Sequence, residues 1–331
     1  MEIHKLQEIY GRHPLVRRLA QVLQQKSARH VCLSGLQGSS ASLFFASLAL
    51  RSPQVLGVPF LFVLDDSEEA AYFYQDLTQM LGDTQVLYFP SSYRRAVKYG
   101  QRDAANVVLR TEALSRLGSG TLPLFVVTCP QALAELVVDR DTLKGHTLEV
   151  GAGQTLDVVQ VQKTLLDLGF SRTDYVYEPG QFAVRGSLLD VYSYSSEYPY
   201  RIDFFGDEVD SIRTFDVQDQ LSLKRLDHVS IIPGPGGADS SLMQSFLSFL
   251  PEDTLLVTRG AGYVADSVRQ VWAEGFSAQA VAVQEAERPS AEAAGTGSPA
   301  EGEPAERPLV RERLLVNPDA FQEQLQKFRT I

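Results

Sequence analysis

The sequence predicts an α/β fold: a P-loop-like domain on a parallel sheet, discontinuous in the chain, with a β-rich α+β domain inserted into it. Three observations carry this expectation. Short apolar runs alternate with amphipathic helical stretches from His30 to Thr128, which is the pattern of a parallel sheet covered on both faces. From Thr147 the pattern changes to one helix followed by closely spaced strands as far as about Ile232. After Pro233-Gly234-Pro235-Gly236-Gly237, helix and strand alternate again. The expected boundaries are 1–146 for the first part of the α/β domain, 147–233 for the insert and 234–331 for the second part.

Each element has a local reason. His4 to Lys26 reads as amphipathic helix interrupted near Gly11 and Pro14, and His30 to Ser34 as a short strand ending at Gly35. A helix from Ser42 to Leu50, a strand from Pro59 to Leu64 and a helix from Ser67 to Leu81 follow. A strand from Gln85 to Phe89, a helix from Asp103 to Leu117 and a strand from Pro123 to Thr128 complete the first part. In the insert, Leu156 to Leu168 is helical, and Pro179-Gly180 has the order that a type II turn demands. Phe182 and Val184 then share one strand face, with Gln181, Ala183 and Arg185 on the other. The apolar phase slips to Leu189 and Val191 around Gly186, where a bulge is expected. Tyr200, Ile202 and Phe204 repeat the apolar phase, which puts Arg201, Asp203 and Phe205 outside, before a Gly206-Asp207 hairpin turn. The return predicts a helix from Ser241 to Leu250, a strand from Thr254 to Thr258 and a helix from Tyr263 to Glu274. Residues 284–308 are low-complexity Ala, Glu, Pro and Gly and are expected to be a flexible loop. Asn317 as N-cap and Pro318 at N1 open a last helix with Phe321, Leu325 and Phe328 on one side.

Composition bounds the function. The 331 residues, 44% hydrophobic, suffice for about two buried cores. No apolar run approaches the roughly 18 residues of a membrane span, and the N-terminus lacks a secretion signal, so the expected location is cytoplasmic. Cys32 and Cys129 sit in apolar runs without metal spacing and read as buried thiols in a reducing compartment. The five histidines share no ligand or triad spacing, so no metal, cofactor or covalent catalysis is expected. A net charge of −11 argues against a nucleic-acid binder held by whole-molecule electrostatics.

Gly35-Leu36-Gln37-Gly38-Ser39-Ser40-Ala41-Ser42 occupies the place and length of a GxxxxGK[ST] phosphate loop, but Ala41 stands at the lysine position and Ser40 at the last glycine. Ser42 keeps the hydroxyl that would ligate magnesium. The loop therefore reads as a degenerate phosphate loop without ATP hydrolysis, or as a plain strand-to-helix turn with a weak pull on anions. Arg94, Arg95, Lys98 and Arg102, with Tyr93 and Tyr99 among them, form a basic and aromatic cluster that reads either as a nucleic-acid track or as a solvated loop. For the face bearing Arg185, Arg201, Asp203 and Phe205, pattern alone leaves two readings. Either it docks a partner protein, since arginine and large aromatics concentrate binding energy, or Phe205 folds back on its hairpin and the charges are merely solvated.

With these parts assembled, the sequence resembles the N-terminal, UvrB-homology region of bacterial transcription-repair coupling factors (Mfd) along nearly all its length. The most specific motif is GQFAVRGSLLDVYSYSSEYPYRIDFFGDEVDSIRTFD, similar to the inserted domain shared with the excision-repair helicase UvrB. The resemblance implies a non-catalytic adaptor that recruits UvrA, with Arg185, Arg201, Asp203 and Phe205 as the contact residues. Asp203 would orient Arg201 or meet a cation of the partner. In that family RNA polymerase, DNA and the ATP-driven translocase belong to regions beyond this sequence. UvrB-like proteins also carry a lysine in the phosphate loop and a DNA-gripping aromatic hairpin, where this sequence has Ala41 and no long Tyr-rich hairpin before Asp103. The competing functions are a nucleotide-dependent DNA-remodelling ATPase and a direct DNA-binding module.

Overall fold

A computed structural model describes residues 3–25, 28–51, 57–92, 103–118, 125–234, 243–274 and 314–331. Helices α1 (Ile3–Gly11) and α2 (Pro14–Gln25) part where Pro14, which cannot donate to a preceding turn, takes the first position of the second helix. Then come α3 (Ser40–Arg51), β1 (Phe60–Val63), α4 (Ser67–Leu81), β2 (Val86–Phe89), α5 (Ala104–Gly118) and β3 (Phe125–Thr128). Asp66 caps α4 by accepting from the backbone N–H groups of Glu68 and Glu69. A short α6 (Pro130–Leu133), β4 (Leu136–Val138) and α7 (Arg140–Gly145) lead to the insert.

The insert consists of β5 (Leu148–Gly151), α8 (Val158–Asp167), β6 (Ser171–Arg172), β7 (Gln181–Arg185), β8 (Leu188–Val191), β9 (Tyr200–Phe205), β10 (Glu208–Phe215), β11 (Ser222–Leu226) and β12 (His228–Ile231). The chain returns through β13 (Met243–Ser245), β14 (Leu255–Thr258), α9 (Ala261–Glu274), α10 (Pro318–Leu325) and β15 (Arg329–Thr330).

Among the described residues the first sheet runs β15-β14-β1-β3-β2, with all four pairings parallel, so strands from both ends of the chain build one sheet. Helices on both faces explain why β1 and β3 are buried at every position and read as unbroken apolar runs. Phe62 and Phe125 meet edge-to-face at 5.0 Å in the middle of this core. The second sheet, β11-β10-β9-β8-β7-β6, is antiparallel except at its β6–β7 end. Its inner face packs Phe182, Leu189, Val191, Ile202, Phe204 and Ile212 against Val161 and Leu165 of α8.

The two cores are joined at a neck. β5 pairs antiparallel with β12, so the insert enters and leaves through adjacent strands. Tyr194 lies between Gly180 and Gly234; a Cβ at either glycine would fall 2.6 or 2.7 Å from the tyrosine, so only glycine fits there. Beside the neck Arg110 and Glu135 form a buried ion pair at 3.3 Å, with Glu135 also accepting from the Ser92 N–H at 3.0 Å. Both arginine and carboxylate are thus partnered, as burial requires.

Several local expectations change. His30 makes a single parallel bridge to Thr330 in place of a strand from His30 to Ser34, and this leaves Cys32 exposed. Cys129 is buried, and burial pushes its thiol up to about 11. Where a helix was expected from Ser241 to Leu250, β13 pairs with β4 and a 3₁₀ turn spans Phe246–Phe249. Phe246, Leu247 and Phe249 are all buried there. Gly186 carries no bulge: Arg185 pairs with Leu188 across a two-residue Gly186-Ser187 turn. Such a hairpin pairs Val184 with Leu189 on one face and produces the phase slip by itself. The expected basic cluster Arg94, Arg95, Lys98 and Arg102, with Tyr93 and Tyr99, lies outside the described residues, as do 284–308. No helix among the described residues is long and apolar enough to cross a membrane.

Candidate partner-docking face

Strand register decides what the outer face of the second sheet displays. Arg185 opposes Leu188, Asp190 opposes Arg201, and Asp203 opposes Leu188 on one side and Ser211 on the other. Phe205 ends β9 opposite Glu208. The face divides into two halves.

One half is covered. Ala183 lies on the outer side as its position in the strand requires, yet it is buried with Val176 and Phe215 in a small second core. Arg201 lids this core, its guanidinium 4.2 Å above the Phe215 ring. Its Nε and Nη2 donate to the two oxygens of Asp190 at 2.7 and 2.9 Å, and Nη1 and Nη2 donate to Gln220 at 3.0 and 3.1 Å. The hydrogen bonds to Asp190 hold the Arg201 guanidinium above its ordinary pKa. Gln220 is the described non-glycine residue with positive φ, +62°, a conformation that brings its acceptors to the arginine at a cost of order 1 kcal/mol. The same Asp190 carboxylate, 1% exposed, also binds Arg185, which stacks 4.6 Å from the Tyr175 ring and remains 35% exposed.

The other half is open. Phe205 is 82% exposed and does not fold back on its hairpin. Gly206, with φ +63°, starts the two-residue turn. The tip is fixed from beneath by the 153–156 segment: Gly153 donates to Val209 at 2.7 Å, Val209 to Gln154 at 2.9 Å and Leu156 to Asp207 at 2.7 Å. The ring is therefore displayed from a braced hairpin. Asp203 accepts from the Ser187 hydroxyl at 3.0 Å and lies 3.6 Å from Arg213.

The four sequence-chosen residues thus share one face in different roles. Arg185 and Phe205 reach solvent, Asp203 is half-buried, and Arg201 is mostly enclosed. The counter-charge of Arg201 is Asp190 and not Asp203. Asp190 was legible in principle, since an acid between Leu189 and Val191 must point away from the apolar face. What exposed it as an organiser was the hairpin register.

The degenerate phosphate loop lies at the other end of the molecule's chemistry. Gly35 and Gly38 take positive φ, +84° and +53°. Ser40 folds its hydroxyl into the loop, accepting from the Gln37 N–H at 2.6 Å, and Ser42 Oγ donates to Asp76 at 2.8 Å. The loop lines a cavity of about 800 Å³ at the C-terminal ends of the parallel strands. Asp65, Glu69 and Asp76 face it, and the lining cation Arg259 is ion-paired to Asp65 and Glu69. Among the described residues no group of His, Cys, Asp or Glu could hold a metal ion.

Residues 148–235 match the family model of the UvrB interaction domain. The chain is similar to the transcription-repair-coupling factors of Myxococcus xanthus (33% identical over 239 residues, 70% of this chain) and Bacillus subtilis strain 168 (30% over 201 residues, 61%). It covers only 19% and 17% of those relatives' lengths. It is also similar to UvrABC system protein B of Chlorobium limicola, at 30% identity over 222 residues, 63% of this chain and 32% of that protein.

Proposed function

We propose, on the premise that this chain carries a UvrB interaction domain within a region similar to the N-termini of transcription-repair-coupling factors, that it is a non-catalytic adaptor of excision repair. It recruits UvrA through the outer face of the insert. The observation that carries the reading is Phe205, 82% exposed on a braced hairpin, on the same sheet face as two arginines whose geometry is set by Asp190. An exposed aromatic held rigidly loses little entropy on binding, and arginine with an aromatic is the pairing in which interface energy concentrates. In this reading Phe205 is the apolar anchor and Arg185 the accessible forked donor. Asp203 meets polar groups of the partner, and Arg201 is chiefly a positioning residue that contributes one edge.

ATP turnover is not part of the proposed role. Ala41 leaves the loop without its lysine, Ser40 occupies the loop interior and three carboxylates face the cavity, so a triphosphate would meet repulsion where it needs donors. The reading is tested by mixing the chain with UvrA on a size-exclusion column, with and without ATP and magnesium. Co-elution that is indifferent to nucleotide is expected. Failure to co-elute would overturn the adaptor reading; a clear rise in the chain's melting temperature with millimolar ATP would revive the ATPase reading.

A further inference from the structure

We propose that Arg213 and Arg225 extend the docking face as a paired site for an acidic side chain of the partner protein; this rests on the adaptor reading above. Register places Arg201, Arg213 and Arg225 in one row across β9, β10 and β11, each directly opposite the next. Like charges in direct cross-strand opposition are destabilising, so such a row needs compensation. Arg201 has it, in the two oxygens of Asp190 and in Gln220. Arg213 has little among the described residues: its one ion pair there, with Asp203, is long at 3.6 Å, and its Nε is enclosed without an acceptor. Arg225 is exposed and its guanidinium has no ion-pair partner among the described residues. Two neighbouring guanidinium groups, one without an ion-pair partner and the other held by a single long pair, have terminal donors to spare for one carboxylate.

The surroundings favour a protein carboxylate over a phosphate backbone. Phe205 at 82% and Leu223 at 53% exposure supply apolar surface on either side along the sheet. Glu208 and Asp210, exposed further along β10 toward the Phe205 hairpin, would repel a polyanion extended over the face. The whole chain carries −11, which opposes long-range capture of nucleic acid. β11 is also the sheet's edge, so a partner can reach Arg225 without displacing any strand.

The test compares Arg225→Gln and Arg225→Glu with the unmodified chain. Affinity for UvrA is measured by biolayer interferometry at two salt concentrations, melting temperature by calorimetry, and binding to a short DNA duplex in parallel. Arg225→Gln is expected to raise the melting temperature slightly, because it removes a like-charge opposition, while weakening UvrA binding. Arg225→Glu is expected to weaken binding about tenfold, mainly through slower association, with a shallower salt dependence. Opposite signs for stability and affinity are what a structural role would not produce. Unchanged UvrA affinity, or affinity falling together with melting temperature, would overturn the proposal. So would an Arg225-dependent DNA complex alongside unaltered UvrA binding. Absence of UvrA binding by the unmodified chain would instead remove the adaptor reading itself, and the pair with it.

Discussion

Phe205→Ala is expected to weaken UvrA capture by about thirtyfold, the usual cost of truncating one aromatic anchor, about 2 kcal/mol. The melting curve should stay where it is. The ring is 82% exposed, so its removal opens no cavity, and surface changes of this kind fall within about ±0.5 kcal/mol. The hairpin that carries it is held by backbone hydrogen bonds donated by Gly153 and Leu156 and one accepted by the Gln154 carbonyl, none of which involves the Phe205 side chain. Affinity measured by titration calorimetry beside a thermal melt separates the two quantities. Undiminished affinity would dismiss Phe205 as an anchor, and a melting temperature lower by several degrees would mean that the ring packs within its own fold.

Asp190→Ala is expected to be the most damaging single change to the insert. One carboxylate, 1% exposed, neutralises two arginines, and Arg201 is itself only 13% exposed. Removing one partner of an enclosed ion pair leaves an uncompensated charge and costs on the order of 3–5 kcal/mol, a large share of the stability of a typical domain. Arg201 would lose its hold above Phe215, and Arg185 its position beside Tyr175. The denaturant midpoint should fall sharply, and UvrA capture with it. Adding Arg201→Met to Asp190→Ala should recover part of the loss, since an apolar side chain can cover Phe215 without a counter-ion. A double-mutant cycle in urea reads the coupling directly. Simple additivity of the two changes would mean that the pair is not coupled as the geometry requires.

The same geometry changes how reversal of Arg201 must be interpreted. From alternation alone Arg201→Glu looks like a surface charge swap with no effect on folding. In the structure it would set a carboxylate against Asp190 above an apolar core, so lost capture in that variant would report misfolding as readily as lost contact. Phe205 and Arg225 are the cleaner probes because both are exposed.

Alternation along GQFAVR and YRIDFF was enough to place Phe182, Val184, Ile202 and Phe204 inside and Arg185, Arg201, Asp203 and Phe205 on the opposite face, because side-chain direction along a strand is fixed by backbone geometry. The strand-helix alternation likewise determined the parallel sheet, and the loss of lysine at Ala41 was plain in the sequence. What alternation cannot say is whether an outward face is wet. Phe215 of β10 and Val176 of the loop before β7 bury Ala183, Phe215 also lies under Arg201, and the pairing of Asp190 with two arginines depends on the register of β7, β8 and β9. Those contacts are set by strand register and by the loops that fold over the sheet, neither of which alternation encodes, so only the folded sheet could decide which of the four residues are surface and which are scaffold.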